Sequence, residues 1–256
     1  MKCKHSVIMV FITAIMLTGC GKDEPITNQQ DAELTENSEL SKAVECVMNG
    51  IPSFPGASKF VDNITNPYFP LIPKTIYKYK SVTDEGTEID IVEVTTKTKP
   101  ILGVTARVIH DRAFLDGELI EDTFDYYAQD KQGNVWYFGE DTKELENGQV
   151  VSTEGTWRAG INGATPGIIM LAEPKIGLKY QQEFAEDVAE DRAKVLSLSE
   201  TVEVPFGNFN NCLKTLDTTP LDPSIREFKF YAPGVGSVLE VQGKERLELI
   251  SLTIKK

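Results

Sequence analysis

Thr105-Ala106-Arg107-Val108-Ile109-His110-Asp111-Arg112-Ala113-Phe114, then Asp116-Gly117, then Glu118 to Ala128 is the stretch that decides the fold. Side chains alternate across an extended chain, so Ala106, Val108 and His110 fall on one side and Arg107 and Asp111 on the other. Asp116-Gly117 is a two-residue hairpin signal, because Asp and Gly tolerate the positive φ that such a turn needs at both positions. The returning run, read with the same period, turns Ile120, Phe124, Tyr126 and Ala128 inward. An isolated hairpin is marginal in water, so flanking strands are required.

They are present on both sides. Downstream, Asp130-Lys131-Gln132-Gly133-Asn134 turns into Val135-Trp136-Tyr137-Phe138, and Asn147-Gly148 turns again into Val150 to Trp157. Upstream, Thr75 to Lys80 alternates, Asp84-Glu85-Gly86 turns, and Glu88 to Thr96 returns rich in β-branched residues. Further strands are expected at Asn211 to Asp217, Glu227 to Tyr231, Ser237 to Gln242 and Arg246 to Thr253. Lys179 to Val195 is ambiguous: Phe184, Val188 and Val195 fit a helix, whereas Ala189, Ala193 and Val195 fit a strand face that Val202 and Val204 continue. With hairpins on either side, two strands joined by a turn at Ala185 to Val188 is the preferred reading. About ten strands cannot lie flat without curling. The expected fold is therefore mainly β, a strongly curved antiparallel meander or half-barrel over residues 75–256, with one short N-terminal helix.

Residues 40–74 hold that helix and a lead-in. Leu40, Ala43, Val44 and Val47 have the spacing of one helix face, Ser38 caps the start, and Asn49-Gly50 before Pro52 ends it. Pro52, Pro55, Pro67, Pro70 and Pro73 then force an extended path. Ahead of the helix, Lys2 and Lys4 precede an uncharged run from Val7 to Leu17, about half the length needed to span a bilayer. Leu17-Thr18-Gly19-Cys20 closes the run with the small residues and the cysteine of a lipobox. Residues 1–19 are thus expected to be a lipoprotein signal peptide, with Cys20 carrying diacylglycerol and further acyl chains such as palmitate. Residues 20–39 are acidic and poor in large apolar side chains, the composition of a flexible tether. No aspartate follows Cys20 directly, which favours the outer membrane, facing periplasm or surface, in a Gram-negative cell.

Tyr231-Ala232-Pro233-Gly234-Val235-Gly236-Ser237-Val238, with Gly207 to Leu213 before it, resembles the closing motif of a group of uncharacterised bacterial envelope lipoproteins. Asn66-Pro67-Tyr68-Phe69-Pro70-Leu71 and the Tyr126-to-Asp130 and Trp136-to-Asp141 segments are similar to that group as well. The resemblance implies a half-closed sheet, broadly like lipoprotein-carrier half-barrels, and brings no activity with it.

Composition removes several chemistries. The net charge of −13 over 256 residues falls to −15 once the two lysines of residues 1–19 are lost, a poor match for nucleic acid. After that cut His110 is the only histidine, and no Gly-x-Ser-x-Gly elbow presents a nucleophile. His110, Cys46 and Cys212 have no clustered spacing for zinc. With Cys3 removed and Cys20 acylated, Cys46 and Cys212 remain as two thiols open to a disulfide.

Carboxylates and aromatic residues leave three readings. Tyr126, Tyr127, Trp136, Tyr137 and Phe138 lie on neighbouring strands and could line a groove for an apolar ligand or an envelope partner, with the membrane reached through the covalent lipid. That non-catalytic binding or scaffold module is the first reading. The second is a carbohydrate-active hydrolase drawing an acid and a base from Asp125, Glu183, Glu190 and Asp191. The third is a calcium site at Asp130, Asn134, Glu140 and Asp141, although Val135 stands where a calcium loop has glycine. No cofactor is otherwise expected.

Overall fold

The computed structural model describes residues 52–255. The signal segment, Cys20, the tether, the helix expected near residues 38–50 and Cys46 lie outside the described residues. Within them there is no α-helix, only the single 3-10 turn Ala57–Lys59.

Seventeen strands follow one another: β1 (Phe60–Val61), β2 (Thr75–Val82), β3 (Thr87–Ile101), β4 (Val104–Leu115), β5 (Glu118–Asp130), β6 (Val135–Asp141), β7 (Glu144–Glu146), β8 (Gln149–Ser152), β9 (Trp157–Arg158), β10 (Thr165–Met170), β11 (Lys179–Gln181), β12 (Glu183–Phe184), β13 (Arg192–Val204), β14 (Gly207–Thr218), β15 (Glu227–Ala232), β16 (Gly236–Gln242) and β17 (Glu245–Ile254). Every named pairing is antiparallel. The ring runs from β2 through β6 to β10, crosses to the bent strand formed by β12 and β11, and continues from β13 to β17. β17 then pairs back onto β2, from Ile254 opposite Thr75 to Glu248 opposite Lys80. The expected half-barrel is in fact a nearly closed barrel.

Local chemistry produces the meander. Leu102-Gly103, Asp116-Gly117 and Asn147-Gly148 all have positive φ at both positions, the mirror-image turns whose twist matches that of the flanking strands. Register shifts in β3/β4, β4/β5, β5/β6 and β13/β14 mark bulges that bend these long strands. Bending of this kind is what lets a long meander close. Lys179 to Val195 is two strand segments around a turn, with Ala185 bridged to Ala189 and Asp187 at positive φ. Val150 to Trp157 is not one strand: β8 ends at Ser152, and Trp157 begins β9, which pairs with β6.

The inward set of the β4/β5 hairpin is the reverse of the expected one. Ile109, Asp111, Glu121, Asp125 and Tyr127 face the barrel interior. Ala106, Val108, Tyr126 and Ala128 are equally buried, but on the outer side. That side is covered in part by the lead-in, whose Phe54 and Phe60 rings pack edge-on against Trp136 and Phe138. His110 also lies on it, stacked on Phe124 and 2.6 Å from Asp122 Oδ1. With both faces of the wall buried, apolarity did not mark the inside.

Residues 64–71 cap one end of the barrel. Asn66 Nδ2 donates to the carbonyls of Gly133 (2.9 Å) and Leu171 (3.0 Å), and its Oδ1 accepts from the Tyr68 amide. Gln129 Oε1 accepts from the amides of Thr65 and Asn66. Gly234 donates its amide to the Pro67 carbonyl at 2.7 Å, and Tyr77 donates its hydroxyl to that of Pro70. The Pro233-Gly234 turn and the Asn66-to-Leu71 segment are therefore one assembly. Asn66 is 3% exposed, so Asn66→Ala strands buried carbonyls and an amide and is expected to cost about 2–4 kcal/mol. Thermal unfolding should then come roughly 5–15 °C earlier; an unchanged transition would mean that the cap is not held by these bonds.

Candidate binding cavity

The barrel interior holds a partly open cavity of about 250 Å3, to which β2 to β6, β10, β12 and β15 to β17 contribute. Its wall carries two chemistries. One is aromatic: Phe69 from the cap, Tyr77 and Tyr79 from β2, Tyr127 and Tyr137 from β5 and β6, and Tyr231 from the closing turn. Tyr127 and Tyr137 stack at 4.7 Å between centroids, and Phe69 meets Tyr127 edge-on at 5.4 Å. Several hydroxyls are already engaged: Tyr77 donates to Pro70, Tyr79 to the Ser237 carbonyl and Tyr137 to Asp125 Oδ1 at 2.6 Å. Tyr77, Tyr79 and Tyr137 therefore offer the cavity aromatic surface rather than spare donors.

The other chemistry is acidic. Asp90, Asp111, Glu121, Asp125, Glu140, Glu183, Asp191 and Glu240 line the cavity together with one cation, Lys229. Lys229 Nζ lies 3.2 Å from Glu227 Oε2 and 3.6 Å from Glu240 Oε2. Burial works against its charge, but those two carboxylates outweigh burial and hold it well above the ordinary lysine value. No described lysine, arginine or histidine lies within ion-pair distance of the other seven carboxyls.

Physics then pushes those carboxyls towards the protonated form. Burial lifts Glu121 to about 8, partly countered by the Thr123 hydroxyl, with Asp111, Asp125 and Glu144 adding to the lift. Asp111 and Asp191 rise to about 7, and Asp125 to about 6, again chiefly through burial. Asp90, Glu140 and Glu183 stand well above the carboxylate range, from burial first and neighbouring carboxylates second. Glu121, 2% exposed, accepts from Thr123 through Oε1 and leaves Oε2 with no hydrogen-bond partner. One oxygen each of Asp90, Asp111 and Asp191 is likewise unpartnered.

The sequence-derived candidates are distributed unevenly around this cavity. Tyr127 and Tyr137 line it, whereas Tyr126, Trp136 and Phe138 belong to the outer side, so the five do not form one groove. Tyr126 instead donates to Asp141 Oδ2 at 2.5 Å beneath the Lys99 ammonium. Asp125, Glu183 and Asp191 do come together at the cavity wall. Glu190 does not: its Oε1 accepts from the Asp187 amide within the turn.

The calcium set is not a site. Asp130 spends both oxygens on its own turn, accepting from the Gln132 and Asn134 amides, Asn134 Nδ2 and Trp136 Nε1. Asn134 Oδ1 accepts from the Ala172 amide. Glu140 faces the cavity and Asp141 pairs with Lys99 and Arg158 on the far side, because neighbouring residues in a strand point in opposite directions. Among the described residues no three His, Cys, Asp or Glu side chains are placed to hold a metal ion. Cys212 is fully buried and has no disulfide partner among the described residues; burial and then Glu200 raise its thiol to about 11.

Asp90, Asp111, Glu121, Lys229, Tyr77 and Tyr79 were missed as site residues. A faint signal existed. On β2 the lysines Lys78 and Lys80 alternate with Tyr77 and Tyr79, while on β3 to β5 the alternating polar positions are mostly acidic. A solvated face usually mixes both signs.

A glycosidase-type pair needs one carboxyl kept ionised while its partner keeps a proton; here the cavity carboxyls with a resolved shift all move upward but unequally, Asp125 to about 6 and Glu183 well above the carboxylate range.

No family model and no curated protein matches the chain. Two solved structures are similar in shape. One, from Bacteroides fragilis, is described as an exported protein with a YmcC-like fold; it shares 15% identity over 73% of this chain and 98% of its own, with a TM-score of 0.42. The other, from Parabacteroides distasonis, is described as a lipoprotein and shares 12% identity over 75% of this chain and all of its own, with a TM-score of 0.40. At these scores neither likeness bears on what the chain does.

Proposed function

We propose that this chain is a lipid-anchored protein of the cell envelope whose barrel is a non-catalytic binding module, taking a small ligand into its central cavity. The observation that carries the reading is a cavity wall of aromatic side chains and carboxyls, several of them with an unpartnered oxygen. A purely structural core would fill that space with apolar side chains, since interiors are otherwise close-packed. Leu17-Thr18-Gly19-Cys20 supports acylation at Cys20, and absence of aspartate after the cysteine supports the outer membrane. If residues 20–39 behave as a flexible coil, their mean reach of roughly 22–27 Å supports a ligand exchanged close to the bilayer. The carbohydrate hydrolase is the second reading: Asp125, Glu183 and Asp191 share a cavity, with Asp125 at about 6 and Glu183 well above the carboxylate range, but Asp125 Oδ1 already accepts the Tyr137 hydroxyl at 2.6 Å.

Native mass spectrometry of the full chain extracted from its own membranes is the test. The expected spectrum shows acyl mass on Cys20 and a retained small molecule, and Cys20→Ser should release the protein from the membrane with the small molecule still bound. Unacylated protein in the membrane fraction would overturn the anchor. A barrel that carries nothing and takes up nothing on incubation with envelope extract would overturn the binding role.

A further inference from the structure

Resting on the binding reading above, we infer that the ligand is an organic cation, a small molecule with a protonated amine on an aromatic or aliphatic body. Acidic groups dominate the cavity lining, eight carboxyls against one lysine. That lysine is taken up by Glu227 and Glu240, and the remaining seven carboxyls have no cationic partner among the described residues. Glu121 is the sharpest case. It is 2% exposed, it lines the cavity, and its Oε2 has no donor in the protein. A buried carboxyl oxygen without a donor fits a donor that arrives with the ligand.

The alternatives fit less well. An anion would meet like charge around the wall. A purely apolar lipid would leave the carboxyl oxygens unpaired. A bare metal ion needs three or more ligands converging on one point, and no such group exists among the described residues. Carboxyls spread around a wall suit an amine whose N–H bonds diverge. Tyr127, Tyr137 and Tyr231 supply aromatic contact for the ligand body, and an ammonium group is attracted to aromatic rings. At about 250 Å3 the cavity lies at the small end of ligand sites, which selects a compact amine over a lipid or a peptide.

The test uses the mature full chain in a neutral maltoside detergent at about pH 8. Calorimetry compares 2-phenylethylamine with its neutral counterpart 2-phenylethanol, with the anion 3-phenylpropanoate and with calcium chloride. The amine should bind at least about tenfold more tightly than the alcohol, and the anion and calcium should not bind. Glu121→Gln should weaken the amine about tenfold and leave the alcohol unchanged, while the variant unfolds no earlier than the parent. Equal affinity for amine and alcohol, or preference for the anion or the metal, would overturn the cation assignment and leave the binding role standing. If none of the four binds but the native protein carries a molecule without a cationic group, the cation assignment also falls alone. No binding in either experiment removes both.

Discussion

Raising the pH from about 5 to about 9 should destabilise the empty barrel, lowering its melting temperature by roughly 10 °C or more. Most proteins are most stable across the neutral range; here the buried carboxyls bias stability towards the acid side. A carboxyl whose folded value lies above its unfolded one holds its proton more tightly in the fold. Its contribution is complete below the unfolded value, near 4, and is lost as the pH climbs through the folded value. That loss begins near pH 4 and is complete by about 6 for Asp125, about 7 for Asp111 and Asp191, and about 8 for Glu121. Each tenfold difference in proton affinity is worth about 1.4 kcal/mol, so Glu121, at about 8 against 4.5, accounts for roughly 3–5 kcal/mol on its own. For a barrel of this size each kcal/mol moves the transition by about 2–4 °C.

The side chains around Glu121 make the case specific. Thr123 donates to it, while Asp111 from β4, Asp125 from its own strand and Glu144 from β7 all oppose its charge. Glu121→Gln mimics the protonated form. The variant should match the parent near pH 5, exceed it at about pH 9, and show a flatter profile between. Asp141 works in the other direction: burial raises it, but Tyr126, Lys99 and Arg158 outweigh burial and hold it low. Its contribution is present above the unfolded value and disappears only in stronger acid, so the optimum should fall at about pH 4–6. Melting curves followed by near-ultraviolet circular dichroism across the range decide the matter. Stability that rises between pH 5 and 9 would contradict the buried-acid interior.

Local features of this fold were legible because they are written in adjacent residues. Asp116-Gly117 and Asn147-Gly148 are hairpin turns by composition, and the alternating runs on either side are strands. Lys179 to Val195 resolved into strands because its neighbours were hairpins, although its own periodicity was ambiguous. Closure was not legible. It rests on β17 returning to β2 and on a two-residue seam between β10 and β12, pairings between segments far apart in sequence. The interior was misread for a related reason. Tyr126 and Ala128 are more deeply buried than Tyr127, but under an outer layer supplied by distant residues, and alternating acids read as solvated until the ring is known to close around them. Asp125, Glu183 and Asp191 were singled out as carboxylates for a cleft, whereas Asp90, Asp111 and Glu121 were not, because nothing local distinguishes an inward acid from an outward one.

Gly167→Ala should be among the most damaging single-methyl substitutions in the barrel, costing more than about 3 kcal/mol. A Cβ at this position would stand 2.4 Å from the Gln182 carbonyl carbon and oxygen and 2.6 Å from the Glu183 nitrogen. These are backbone atoms of the bent strand that closes the ring, and they cannot swing away as a side-chain tip can. Gly167 pairs with Tyr137 on one side, and its neighbour Pro166 pairs with Glu183 on the other. The seam has only the pairs Thr165 with Phe184 and Pro166 with Glu183, so displacement by even an ångström threatens both. Gln182 is also fixed from behind, its amide donating to the Asp191 carbonyl at 2.8 Å. The added methyl therefore pushes on Glu183 and Asp191 together, two of the cavity carboxyls. Urea denaturation should show a lower midpoint for Gly167→Ala, and amine affinity should fall with it. Gly207→Ala is the control: there the nearest atom to a new Cβ is the Phe209 ring at 3.8 Å, an ordinary contact, and the midpoint should move by less than about 1 kcal/mol equivalent. Equal midpoints for the two variants would mean that the β10–β12 seam is not what holds the barrel shut.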